Sequence, residues 1–213
     1  MSERIMVVAH TDDELLWGWN DLLDGHDWLV ICIFQQNNYE GAISEKKKRL
    51  KQFDYCSKIF GFKYKIYDFV DNPYNLDVNY DIQNNIKLIL KDNISDNTKK
   101  IVTHNPNGEY GHYHHKIISK IVTEIIINKD KLYYFSFNIN NKYKEFDEKY
   151  FECFNGYFSH CLNDLTVIGH RELSKISEII NYKDYKYDFE LIKNKYPESF
   201  FNCNLITYNK YLE

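Results

Sequence analysis

The chain has little of what breaks or staples a fold. It contains 3 prolines and 8 glycines in 213 residues, so no turn-rich linker divides it, and a single domain over 1–213 is expected. That length buries about 70% of the surface an unfolded chain would expose, without covalent help. Its five cysteines (Cys32, Cys56, Cys153, Cys161, Cys203) are odd in number and none forms a Cys-x-x-Cys pair. Neither a disulfide framework nor a thiolate zinc knuckle is therefore suggested, and reduced, mostly buried thiols are expected. Net charge is −4 and no basic run exceeds Lys46-Lys47-Lys48-Arg49, which reads as the solvated face of a helix, so no nucleic-acid partner is expected. Apolar runs are only strand-sized, and Met1-Ser2-Glu3-Arg4 leads into a strand without an apolar leader. The expectation is a soluble, cytoplasmic protein with no membrane span; composition does not address its oligomeric state.

What the chain does contain is alternation. Strand-like segments at 4–9, 28–34, 63–69, 99–104 and 131–137 are separated by helix-like segments at 14–23, 42–60, 80–91 and 112–127. Such alternation predicts an α/β fold, a Rossmann-like doubly wound and mainly parallel sheet with helices on both faces, a three-layer sandwich. Trp28-Leu29-Val30-Ile31-Cys32-Ile33-Phe34 is apolar throughout, as a strand covered on both faces must be. Ile117, Ile118, Ile121, Val122 and Ile125 recur at helical spacing instead. The pattern weakens over 138–160 and resumes as a strand at 165–169, a helix at 171–181 and another at 184–196.

Two short stretches carry the chemistry. Ala9-His10-Thr11-Asp12-Asp13-Glu14 follows the first strand, and Gly108-Glu109-Tyr110-Gly111-His112-Tyr113-His114-His115 follows the fourth. In a sheet ordered 3-2-1-4-5 the first and fourth strands are neighbours where the winding reverses, and the loops beyond them open into one crevice. Topology thus brings His10, Asp12 and Asp13 towards His112 and His115. Two imidazoles and a carboxylate leave open positions on a divalent ion, beside which water is acidified. A lone acidic triplet after a strand reads more simply as charge at a helix start; the matching His-x-x-His is what separates this case. His104 reads as a strand-end residue and His114 as a helix-surface one.

Ala9-His10-Thr11-Asp12-Asp13-Glu14 resembles the Ala-His-Pro-Asp-Asp-Glu signature of the LmbE/PIG-L-like deacetylases. Thr103 to His115 is similar to their second signature, and Arg49-x-x-Gln52 with Phe60-Gly61 gives a weaker echo. The resemblance covers roughly residues 4–120. It implies His10, Asp13 and His115 as ligands of zinc or another divalent metal. It implies Asp12 as the general base, with His112, aided by Tyr110, stabilising a tetrahedral oxyanion as a cation or a hydrogen-bond donor. Arg49 matches an arginine that contacts the sugar or its phosphate substituent, and Asp71 is expected to bind a hydroxyl. Three positions depart from the pattern: Thr11 stands for proline, Trp19 for a second glycine after Gly18, and His114 for an acidic residue that orients the first motif histidine in some members.

The resemblance implies a zinc-dependent N-deacetylase that removes the acetyl group from an N-acetylglucosamine-type sugar or glycoconjugate. Two alternatives stay open: a catalytically weakened binder of a sugar or nucleotide sugar on the same fold, and an amidohydrolase for a non-sugar acylated metabolite.

Overall fold

The computed structural model describes residues 3–25, 27–36, 42–70, 78–137, 147–158, 171, 174, 175 and 177–185. Its elements are β1 (Arg4–Val8), α1 (Asp13–Leu22), β2 (Trp28–Gln36), α2 (Ala42–Phe60), β3 (Lys63–Val70), α3 (Tyr80–Asn93), β4 (Lys100–Thr103), α4 (Gly108–Gly111), α5 (Tyr113–Ile125), β5 (Leu132–Phe137), α6 (Glu148–Phe158) and β6 (Ser177–Asn181), with a 3-10 turn at Lys129–Lys131. The sheet runs β3-β2-β1-β4-β5-β6. β1 pairs in parallel with both β2 and β4, in register Met6↔Val30 and Met6↔Val102. The expected order and the reversal of winding between β1 and β4 are both present.

Alternation along β1 builds the three layers. Met6 and Val8 face one side, with Leu15, Leu16 and Leu22 of α1, Phe53 and Phe60 of α2, and Tyr150 and Phe154 of α6. Ile5 and Val7 face the other, with Ile86 and Leu90 of α3 and Ile118, Ile121 and Val122 of α5. Successive strand residues point to opposite faces, so a strand buried on both must be apolar at every position. Gly18 lets α1 come close: a Cβ there would lie 2.5 Å from Met6 Cε. Cys32, Cys56 and Cys153 are free and buried.

Three expectations change. The region 138–160 includes a helix, α6, whose buried Tyr150, Cys153, Phe154 and Tyr157 form an i, i+3, i+4, i+7 stripe. The helix expected over 171–181 gives way at Ser177–Asn181 to β6, antiparallel to β5 with Phe135 opposite Ile179. Pairing with an otherwise open sheet edge outweighs local helical spacing there. The helix expected over 112–127 begins at Tyr113 instead, because Gly111 turns with φ +103° and His112 is extended. Of the helix expected at 184–196, Asp184 and Tyr185 lie in and just after a turn. Residues 186–196 and the strand expected at 165–169 lie outside the described residues.

Ile121 is fully buried beneath α5. Ile121→Ala is expected to destabilise the protein by about 2–5 kcal/mol, through lost burial and an unfilled cavity. A urea unfolding curve with a lowered midpoint and an unchanged slope would register this.

Candidate metal centre

The first loop is built by hydrogen bonds that return to the helix it starts. Asp13 Oδ2 accepts the His10 backbone N–H at 2.8 Å, and Asp13 Oδ1 accepts Trp17 Nε1–H at 3.2 Å. Asp12 caps α1 with φ +149°, a conformation costing of order 1–3 kcal/mol and found mainly where surroundings impose it. Here Glu14 helps impose it, its Oε2 accepting the Asp12 N–H at 3.0 Å. The Thr11 hydroxyl, in the place of proline, accepts from Gln35 Nε2 at 3.2 Å and ties the loop to the end of β2.

The second loop mirrors this on β4. Asn105 Oδ1 accepts the backbone N–H groups of Asn107 and Glu109 at 2.9 and 3.2 Å, while Asn105 Nδ2 donates to Phe135 O at 3.0 Å. Gly108, Glu109 and Gly111 all have positive φ, which folds the chain tightly enough to turn Glu109 inwards. Its buried carboxylate meets His104 Nδ1 at 2.9 Å and His115 Nδ1 at 2.6 Å.

The loops meet at Asp13. Its Oδ2 lies 3.4 Å from His10 Nδ1 and 3.4 Å from His104 Nε2, and its Oδ1 lies 3.3 Å from His115 Nε2. An ion held tetrahedrally by bonds of about 2.1 Å keeps its ligand atoms about 3.4 Å apart, a spacing that each of these Asp13–imidazole pairs matches. Within 4.8 Å of one another, donor atoms come from two trios: His10, His112 and His115, and Asp13, His104 and His115. His115 is common to both trios, Asp13 joining it with His104 and His10 joining it with His112; the expected set of His10, Asp13 and His115 meets through the two oxygens of Asp13 rather than as one of these trios.

Electrostatics follow from burial. Burial alone would raise the Asp13 pKa, but attraction to His115 and His104 and hydrogen bonding to His10 outweigh it and hold the carboxyl well below its ordinary value. Asp12, by contrast, is pushed up to about 6 by burial, with the Arg49 guanidinium opposing and Asp13 adding to the rise. Burial, with repulsion from His115, His10 and His114, keeps His112 well below the ordinary imidazole value. Burial thus disfavours the cationic form of this ring. Glu14 is raised to about 8 by burial and by Asp12, despite a 2.9 Å hydrogen bond from the Tyr157 hydroxyl of α6.

Arg49, expected to face substrate, binds Asp12 Oδ2 directly and is about a third exposed. The Lys46–Arg49 run is thus not wholly a solvated face. Tyr110 contributes backbone to α4, but its side chain, like Asp71, lies outside the described residues. His114 is not a helix-surface residue. It is buried, stacks on Phe34 with centroids 4.2 Å apart, and places Nδ1 3.3 Å from His10 Nε2. Trp19 packs on Tyr150 and donates to Ser174 O at 3.2 Å. Glu109, Glu14 and Tyr157 carried no expectation. An acidic residue between two glycines in a histidine-rich loop was the one available sign of Glu109, and nothing in sequence links Tyr157 to Glu14.

Comparison with known proteins adds three findings. A family model described as PIG-L, GlcNAc-PI de-N-acetylase, matches residues 5–126, more than half of the chain. Uncharacterized protein L374 of Acanthamoeba polyphaga mimivirus is 31% identical over 150 residues, 65% of this chain and 64% of that protein, so the match spans less than two thirds of the relative. Among solved structures, N,N'-diacetylchitobiose deacetylase from Pyrococcus horikoshii aligns with TM-score 0.57 at 10% identity over 89% of each chain. GalB, the 4-carboxy-2-hydroxymuconate hydratase of Pseudomonas putida KT2440, aligns with TM-score 0.56 at 12% identity over 88% of this chain and 99% of its own. Both share the fold.

The Glu14–Tyr157 contact sets two expected outcomes. Tyr157→Phe leaves a buried carboxyl oxygen short of a donor and should cost about 1–3 kcal/mol in chemical denaturation. Between its ordinary value of 4.5 and about 8, Glu14 holds more proton in the folded than in the unfolded chain. The metal-free protein should therefore lose stability as pH rises through that window. Unfolding midpoints measured across it should slope downward, and Glu14→Gln should flatten the slope; an unchanged slope would locate the proton uptake elsewhere.

Proposed function

Since the chain belongs to the PIG-L family, we propose that it is a divalent-metal-dependent hydrolase that removes the N-acetyl group from an N-acetylglucosamine-type sugar or sugar conjugate. The observation that carries this reading is the placement of Asp13 within 3.3–3.4 Å of imidazole nitrogens from both loops, in a region wholly covered by the family match.

His10, Asp13 and His115 would hold the ion, zinc being the metal their two nitrogens and one carboxylate suit best. When bound, zinc supplies a Lewis acid that polarises an amide carbonyl and acidifies water. Asp12 does the proton work. Burial keeps its pKa near 6, close enough to neutrality to take a proton from attacking water and return it to the departing amine. Arg49 holds the Asp12 carboxylate in one orientation and keeps it ionised at pH 7, so Arg49 serves the base at least as directly as it serves substrate. His112, beside His10 with ring centroids 4.9 Å apart, would donate a hydrogen bond to developing negative charge on the carbonyl oxygen. Tyr110 is assigned to assist it, and Asp71 to a substrate hydroxyl, on the strength of the family pattern.

The family match supports deacetylation, and the Pyrococcus horikoshii neighbour acts on an acetylated sugar. The hydratase neighbour shows that similar folds host other chemistry, so the substrate must be tested directly. Zinc-loaded protein is expected to release acetate from members of a panel of N-acetylhexosamine conjugates. A chelator should abolish release and added zinc should restore it. Asp12→Asn should lower kcat by roughly 100-fold or more with bound zinc unchanged. Zinc bound without acetate from any conjugate would overturn the sugar assignment, and conjugates bound without turnover would identify a binding protein.

A further inference from the structure

We infer that Glu109 is a positioning residue whose single buried carboxylate holds a hydrogen on Nδ1 of both His104 and His115. It thereby presents His115 Nε2 to the ion and ties the second loop to the first. This deepens the metal-centre reading above and rests on it for the identity of the ligand, though not for the proton positions.

Glu109 is 1% exposed, and its Oε1 is occupied by the Asn105 backbone N–H at 3.0 Å. Its Oε2 lies 2.9 Å from His104 Nδ1 and 2.6 Å from His115 Nδ1. A carboxylate flanked by two ring nitrogens in a site closed to water can only accept from both, so each Nδ1 bears hydrogen. On its other side His104 Nε2 lies 3.0 Å from the backbone N of Ala9 and 3.4 Å from Asp13 Oδ2. Glu109 is thus linked through His104 to Ala9 and Asp13 of the first loop, either side of His10.

The His115 ring lies against His104, with centroids 3.8 Å apart and planes 20° apart. One oxygen can therefore reach equivalent atoms of both rings. With Nδ1–H held by Glu109, His115 Nε2 faces Asp13 Oδ1 at 3.3 Å. A ligating histidine needs such an outer partner to fix its tautomer and orientation, and loss of that partner typically weakens metal binding about 10–100-fold. The backbone shows the constraint: Glu109 is held at φ +56° between two glycines, Gly108 and Gly111, a left-handed conformation costing about 1–2 kcal/mol for a residue with a side chain.

Glutamine cannot substitute fully. Its amide group must face either the Asn105 N–H or the two imidazole N–H groups, donor against donor in both cases. Long-range nitrogen–proton NMR on metal-free wild-type protein is expected to show Nδ1 protonated in both His104 and His115. Glu109→Gln should shift these ring-nitrogen signals and weaken zinc binding about 10–100-fold in chelator competition, with circular dichroism close to wild type. A glutamate with only a packing role would lower the unfolding midpoint and leave the ring nitrogens unmoved. Wild-type His115 protonated on Nε2 alone, or a Glu109→Gln protein with unchanged ring signals and zinc affinity, would overturn the inference. If Glu109→Gln does not fold, the wild-type spectrum decides by itself. Wild-type protein that shows the expected protonation yet takes up no zinc would sink the hydrolase reading and leave this one standing.

Discussion

Everything in this crevice is organised around one buried carboxylate. Asp13 receives the His10 backbone and the Trp17 indole from its own loop and helix, and lies in contact with His104 and His115 from the far loop. An isolated anion in such a place would cost many kcal/mol. Attraction to His115 and His104 and a hydrogen bond with His10 offset that cost. The charge therefore draws together two segments about a hundred residues apart and gathers nitrogen and oxygen donors around it.

Rigidity around the centre comes from polar groups rather than apolar packing. Asn105 satisfies two backbone amides and reaches across to β5. Glu14 steadies the strained Asp12 and is met from above by Tyr157. Such buried networks are costly when incomplete and specify one geometry when complete. Strain at Asp12 and Glu109 is tolerated because several partners determine each position. Both residues flank the donor set, which is where stored backbone strain is usually found.

The apolar layers do a different job. They set the sheet order and so put the ends of β1 and β4 side by side, but they do not choose the chemistry. A deacetylase and a hydratase share this fold at similar TM-scores. Membership of the PIG-L family supports deacetylation in general. The departures at Thr11, Trp19 and His114 are each absorbed by specific contacts: with Gln35, with Tyr150 and Ser174, and with Phe34 and His10.

Much of this was legible in the residues alone. Doubly apolar strands, striped helices and two motifs at strand ends are local patterns, set by periods of 2 and 3.6 and by the chemistry of His and Asp, and they determined the layers and the loops that carry the motifs; the sheet order was assumed from the common doubly wound arrangement and is the one observed. Other features depended on partners distant in sequence. Ser177–Asn181 became a strand because β5 offered an unpaired edge. His114 turned inward because Phe34 and His10 received it, and Arg49 found Asp12 rather than solvent. Glu109 acquired its role only once His104 and His115 were stacked beside it. A hydrogen bond or ion pair between far segments leaves no periodic trace in a sequence, since either partner alone is compatible with many surroundings, and only the folded chain selects one.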